Sequence, residues 1–307
     1  MTQHMTLAIL VLVGGCATGT GHGASKRRDH EDSGSSARVD TSGADDTAGA
    51  ACVHAEPRTL EGIPFVRVCA ATFDMGCTPG QSDCERDETE HTVTLTHDFW
   101  IGVTEVTQGE FEAVMGYDPS WFYASADDFP VENLSFHEAA AYANALSDGA
   151  ELTECYPCSG SGASVACTGA VSPYMCDGYR LPTEAEWEAA ARCGDDTPYA
   201  GSSNPDEVAW YDDDSGIETN PVARLGANAC GTFDMSGNVW EFANDWYGAY
   251  DLSASENPEG PSRGTGRILR GGGWLNPAWM ATVVNRTGFS PTDRYMVVGF
   301  RLARSTP

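Results

Sequence analysis

RLPTEAEWEAAAR runs from Arg180 to Arg192. Thr183 and Glu186 make a capping box: the hydroxyl accepts from the amide three residues on, and the glutamate reaches back to the cap amide. Pro182 stiffens the entry, and Trp187-Glu-Ala-Ala-Ala-Arg192 continues as helix formers. Trp187 reads as core. Arg180 can pair with Glu184 or Glu186. The box already occupies Glu186, so the string reads as structural rather than catalytic.

The same device announces two earlier helices, at Thr107–Glu110 and Ser135–Glu138, with Gly116, Gly149 and Gly194 standing where the three helices end. Short strands rich in β-branched and aromatic residues are expected at Thr59–Val68, Thr92–Leu95, Phe99–Val103, Ile268–Leu269 and Val297–Leu302. Long Gly, Pro, Asn and Asp runs separate them. Helices and strands mixed in this way predict a loop-rich α+β domain.

Eleven cysteines punctuate the chain. Setting Cys16 aside leaves an even set: Cys52, Cys69, Cys77, Cys84, Cys155, Cys158, Cys167, Cys176, Cys193 and Cys230. In an exported protein such a set reads as disulfides. Cys77 and Cys84 can close a local loop, and Cys155, Cys158, Cys167 and Cys176 are expected to pair among themselves. Zinc on that last cluster is the competing reading, because Cys155-Tyr-Pro-Cys158 has ligand-like spacing.

Export is read from the amino end. Residues 1–15 form a leader whose apolar run, Leu7 to Val13, is too short to span a bilayer. Val13-Gly14-Gly15-Cys16 resembles a bacterial lipobox, which implies cleavage before Cys16 and a lipid on its sulfur. Ordinary secretion with Cys16 idle is the plainer alternative. Ala17 in place of Asp favours the outer membrane, so the expected location is the cell envelope: an outer-membrane lipoprotein, or the periplasmic or extracellular face. Residues 16–55 are small and polar and read as a disordered tether. Residues 56–307 then form one domain. The formal net charge of −28 makes nucleic acid an improbable partner.

Two further strings complete the pattern: GTFDMSGNVWE at Gly231–Glu241, and Arg270-Gly271-Gly272-Gly273-Trp274. With Phe73-Asp-Met75-Gly76, Glu105-Val106-Thr107, Pro130–Ser135, RLPTEAEWEAAAR and Gly299-Phe300-Arg301, they resemble the formylglycine-generating enzyme family, the sulfatase-modifying factors. The order is the family's, and the match spans Pro57 to Arg304. The resemblance implies a C-type-lectin-like α+β fold.

Asp234 and Glu241 bracket a Gly-Asn turn, and two acids so close would repel unless neutralised. A tight turn can aim the carbonyls of Gly237 and Val239 inward, an oxygen set that suits calcium. The family carries calcium at the matching positions. An arginine partner for the acids is the alternative. A second family calcium would lie near Glu207-Val208-Ala209-Trp210, where Val208 replaces a side-chain amide, the Ala209 carbonyl survives, and Asp212, Asp213 and Asp214 are close enough to substitute or form a solvated loop.

The chemistry of the family's oxidases is missing. Their copper-binding cysteines fall here at Asn276 and Ala281, and Gly273 takes the place of a serine. Copper(I) needs soft thiolates, and no cysteine follows Cys230. Copper is therefore not expected, and calcium is. Trp274, Trp279, Asn285, Arg286 and Arg301 fall in the segment that lines the family's substrate groove. The sequence thus predicts a surface-anchored, calcium-stabilised binding module for a peptide, protein or glycan, without the oxidase. The alternatives are an oxidoreductase of the same family using non-cysteine residues, and a purely structural envelope component.

Overall fold

The computed structural model describes residues 57–77, 81, 84–122, 127–170, 172–212, 216–253 and 255–306. The leader, Cys16, the tether, Cys52, Asp213 and Asp214 lie outside them. Among the described residues no helix is long and apolar enough to cross a membrane.

The chain opens with β1 (Arg58–Leu60), β2 (Ile63–Val68), β3 (Ala71–Met75), β4 (His91–Leu95) and β5 (Phe99–Gly102). Helices α1 (Gln108–Met115) and α2 (Phe136–Gly149) follow, then β6 (Cys158–Ser159), β7 (Ala166–Cys167) and β8 (Tyr179–Arg180). Helix α3 (Glu184–Arg192) precedes β9 (Ala209–Trp210), β10 (Ser236–Gly237), β11 (Trp240–Trp246) and β12 (Arg267–Arg270). The last strands are β13 (Arg286–Phe289), β14 (Val298–Gly299) and β15 (Ala303–Ser305).

All three capping boxes form, with Thr107, Ser135 and Thr183 as caps. Gly116 ends α1 in a left-handed conformation. α2 runs through Gly149 to a cap at Ala150. α3 stops one residue before the expected glycine: Cys193 takes the left-handed turn and is tied to Cys230 by a disulfide. The expected strand Thr59–Val68 is a hairpin instead, because Glu61 and Gly62 both adopt positive φ and split it into β1 and β2. Val297–Leu302 shrinks to the two residues of β14.

A five-stranded antiparallel sheet, ordered β1-β2-β5-β15-β8, joins the first described strand to the last. Both of its faces are covered. Phe65 packs into a core with Phe111, Tyr142 and Phe300, against α1 and α2. Val66 and Ile101 point the other way, into a core with Trp187, Ala190 and Ala191 of α3. Successive strand residues face opposite sides, so a doubly covered strand reads as a continuous apolar run. A second sheet, ordered β13-β12-β11-β14, carries the two strings richest in chemistry.

Cys77 pairs with Cys84, Cys155 with Cys176 and Cys158 with Cys167, the last across β6 and β7. These bonds consume the sulfurs that the zinc reading required. Every described cysteine is disulfide-bonded.

Candidate functional site

The strings that lie far apart in sequence meet at the turn 234–241. β10 runs parallel to β9, pairing Ser236 with Ala209 and Gly237 with Trp210. The Gly237 amide donates to the Gly271 carbonyl at 2.7 Å, and the Asn238 amide to the Trp210 carbonyl at 2.9 Å. The turn is built from left-handed residues, with φ of 56° at Asp234, 81° at Gly237 and 58° at Asn238. A side chain on Gly237 would start 2.2 Å from the Trp210 oxygen, so only glycine fits. Met235 and Trp240 are buried in the core.

The acids of this turn have different fates. Glu241 is fully buried and forms a two-pronged pair with Arg301, Nε to Oε2 and Nη2 to Oε1, both 2.6 Å. The Trp187 indole also donates to Oε2, at 2.7 Å. Glu241 is therefore paired with an arginine, the alternative that the sequence left open. Asp234 Oδ2 accepts from the Ala223 amide at 2.7 Å, but buried Oδ1 has no partner.

Glu105, just before α1, completes the cluster. It is fully buried and neither of its oxygens has a hydrogen-bond partner. Arg301 is the cation that all three carboxyls share. Burial pushes Asp234 up to about 6, against the Ala223 amide and Arg301, with Glu241 adding to the rise. Burial, reinforced by Asp234, holds Glu105 well above the usual carboxylate range. Sequence reading placed Glu105 in a family string without assigning it a ligand's role. An acid between Val103 and Val106, both buried, was the signal available.

Unpartnered buried oxygens on Asp234 and Glu105 are what a hard cation would satisfy. Glu241 fits that role poorly, since Arg301 holds both its oxygens. Among the described residues no group of three or more His, Cys, Asp or Glu side chains is placed to hold a metal ion. A calcium here would therefore lean on main-chain carbonyls, those of Gly237 and Val239 being the ones named above. In the neighbouring segment, Glu207 accepts from the Ser202 hydroxyl at 2.7 Å, and Val208 and Ala209 are buried.

At the positions that the resemblance assigns to the family's copper ligands there is ordinary packing. The Asn276 side-chain oxygen accepts from the Trp240 indole at 2.8 Å, and its carbonyl accepts from the Asp212 amide at 3.0 Å. Ala281 is buried with Ala209 and Tyr211. A side chain on Gly273 would meet Trp240 at 3.3 Å and Asn276 at 3.4 Å. The described cysteines leave no free pair to replace the missing thiolates.

The five groove candidates divide. Trp279 keeps 44% of its surface exposed, on a single turn spanning Ala278–Ala281. Its neighbour Leu275 is also exposed. Trp274 is buried, with its ring edge-on to Phe122 at 5.8 Å. The Asn285 amide donates to Glu88 at 3.2 Å. Arg286 is clamped to Glu184 through two 2.7 Å bonds, as Arg301 is to Glu241. Of the five, Trp279 is the one with a large exposed surface, while both guanidiniums neutralise acids inside the protein.

Fold and site together define a disulfide-stapled, loop-rich α+β domain with no free thiol among its described residues. The model of the sulfatase-modifying factor enzyme 1-like domain matches residues 50–306, and the chain belongs to that family. It is 35% identical over 242 residues to a protein of Paenibacillus barcinonensis named Chaperone protein LppX, covering 69% of this chain and 82% of that one. It is 35% identical over 150 residues to the formylglycine-generating enzyme of Thermomonospora curvata, covering 41% of this chain and 49% of the enzyme, so it spans about half of that relative. Among solved structures, Treponema denticola variable protein 1 superposes with a TM-score of 0.70 at 32% identity, covering 82% of this chain and 99% of that one. PvdO from Pseudomonas aeruginosa, at 23% identity and a TM-score of 0.68, shares the fold.

Proposed function

We propose that this chain is a surface-anchored, calcium-stabilised binding member of its family that does not oxidise cysteine. One observation carries the reading. Where the family's oxidases hold copper on two thiolates, this protein has an asparagine tied to the Trp240 indole and a buried alanine. Soft copper(I) has no ligand there. The relative named a chaperone makes a polypeptide the favoured ligand over a glycan. Trp279 and Leu275 are the exposed apolar side chains beside the vacated centre.

The purified protein, incubated with copper(I), oxygen and a Cys-x-Pro-x-Arg peptide, is expected to return the peptide with unchanged mass. Conversion of its cysteine to the aldehyde would overturn this reading and establish the oxidoreductase alternative. Anchoring through a lipid on Cys16 has a separate readout. Cys16→Ser is expected to move the protein from the membrane fraction to the soluble fraction, and persistence in the membrane fraction would refute the anchor.

A further inference from the structure

We propose that a cavity at the amino end of α3 binds a small aliphatic amine. The cavity has a volume of about 410 Å³ and takes no residue from the Gly273–Ala281 segment. Of the five groove candidates it takes only Arg286, and it does not depend on the function proposed above.

Met75, Ala185, Pro258 and Pro261 give it an alkyl lining. Arg286 also lines it, but that guanidinium is already committed. It holds Glu184, donates to the Gly248 carbonyl at 2.8 Å and lies over the Tyr250 ring at 4.1 Å. His91 turns its Nδ1 to the Thr89 carbonyl at 2.9 Å and packs its ring on Tyr250 at 4.5 Å. The Arg286 guanidinium is thus not offered to an anion, and the His91 ring is tied at Nδ1.

The acids are a different matter. Asp245 is almost wholly buried, and its Oδ2 accepts from the Glu184 amide in the first turn of α3. Its Oδ1 is buried and has no hydrogen-bond partner. Gly260, on the cavity wall, lies directly against Asp245: a side chain there would come within 3.2 Å of that oxygen. Glu259 adds a second carboxyl at the exposed rim.

The helix terminus is itself satisfied, by Asp245 and by the capping box of Thr183 and Glu186. An anionic ligand therefore meets the carboxyls of Asp245 and Glu259, with the Arg286 guanidinium already committed. An unpartnered oxygen on a buried carboxyl is costly, and a ligand that brings donors and positive charge pairs it once the carboxyl gives up its proton. A primary ammonium does both, and its alkyl stem suits the apolar wall. A short diamine reaches the rim acid as well.

The electrostatics agree. Burial, with Glu184 and Glu186 adding and the Glu184 amide and Arg267 opposing, pushes the Asp245 carboxyl up to about 8. Near neutrality the acid holds a proton, which a bound ammonium replaces. Binding should therefore weaken by about tenfold for each pH unit below that value.

Isothermal titration of the full chain with 1,4-diaminobutane, 1-butylamine and 1-butanol tests the proposal. The diamine is expected to bind saturably and tightest, and butanol not at all. Asp245→Asn keeps the acceptor for α3 and should weaken both amines at least tenfold. Glu259→Gln, at the exposed rim, should weaken the diamine and leave the monoamine unchanged. Equal binding of butanol and butylamine, full affinity in Asp245→Asn, or no heat from millimolar diamine would each overturn it. Should Asp245→Asn fail to fold, the butanol comparison and the Glu259→Gln contrast still decide.

Discussion

Arg301→Ala is expected to unfold the domain, or to lower its stability in urea denaturation by about 3–5 kcal/mol, the usual cost of breaking a buried ion pair by removing one partner. The guanidinium is fully buried and does several things at once. It holds both oxygens of Glu241 and donates to the carbonyls of Gly102 and Phe233, at 3.1 and 2.9 Å. Without it, Glu105, Asp234 and Glu241 share one buried region with no cation. Arg301→Lys keeps the charge but not the fork, and should recover only part of the loss. Replacing Arg301 and Glu241 together by methionine removes one of the three stranded acids and leaves Glu105 and Asp234, so it should recover part of the loss of the alanine variant. A single alanine variant that loses less than about 1 kcal/mol would show that the acids are neutral or hydrated without arginine.

Removing calcium is expected to lower the melting temperature, and Asp234→Ala should abolish that response. Calcium at a hundred times its dissociation constant adds about 2.7 kcal/mol to a protein that binds it only when folded. The physical reason is the count of charges. Three buried carboxyls face one guanidinium, and the oxygens left over belong to Asp234 and Glu105. Either protons or a cation must balance them. Glu105→Gln is therefore expected to weaken calcium binding in a calorimetric titration, although the family resemblance assigned Glu105 no ligand role. A melting temperature indifferent to chelator, or a chelator response intact in Asp234→Ala, would remove calcium from this site.

Local chemistry was legible from the chain. Each capping box lies within four residues, so Thr107, Ser135 and Thr183 could be read without knowing anything beyond their own turn. The Cys77–Cys84 loop, and the closure of Cys155, Cys158, Cys167 and Cys176 among themselves, were readable for the same reason. Partners distant in sequence were not. Glu184 could have paired with Arg180, yet it meets Arg286, 102 residues away, while Arg180 goes to Glu186 at 2.6 and 2.7 Å. The two arginines nominated for a ligand groove turned inward because buried carboxylates elsewhere in the chain required them. No local pattern marks an arginine as spoken for.

From its residues alone the protein declared mixed helices and strands and, through motif strings that resemble the sulfatase-modifying factors, the want of two thiolates, because cap spacing, motif strings and the presence of sulfur are properties of the chain itself. Which acids are neutralised, and which are left with bare oxygens, was decided only by packing. Burial strips water from a carboxyl and leaves its state to whichever donor the fold brings within about 3 Å. Glu241 received Arg301 by that route, while Glu105, Asp234 and Asp245 each kept an oxygen in want of a partner.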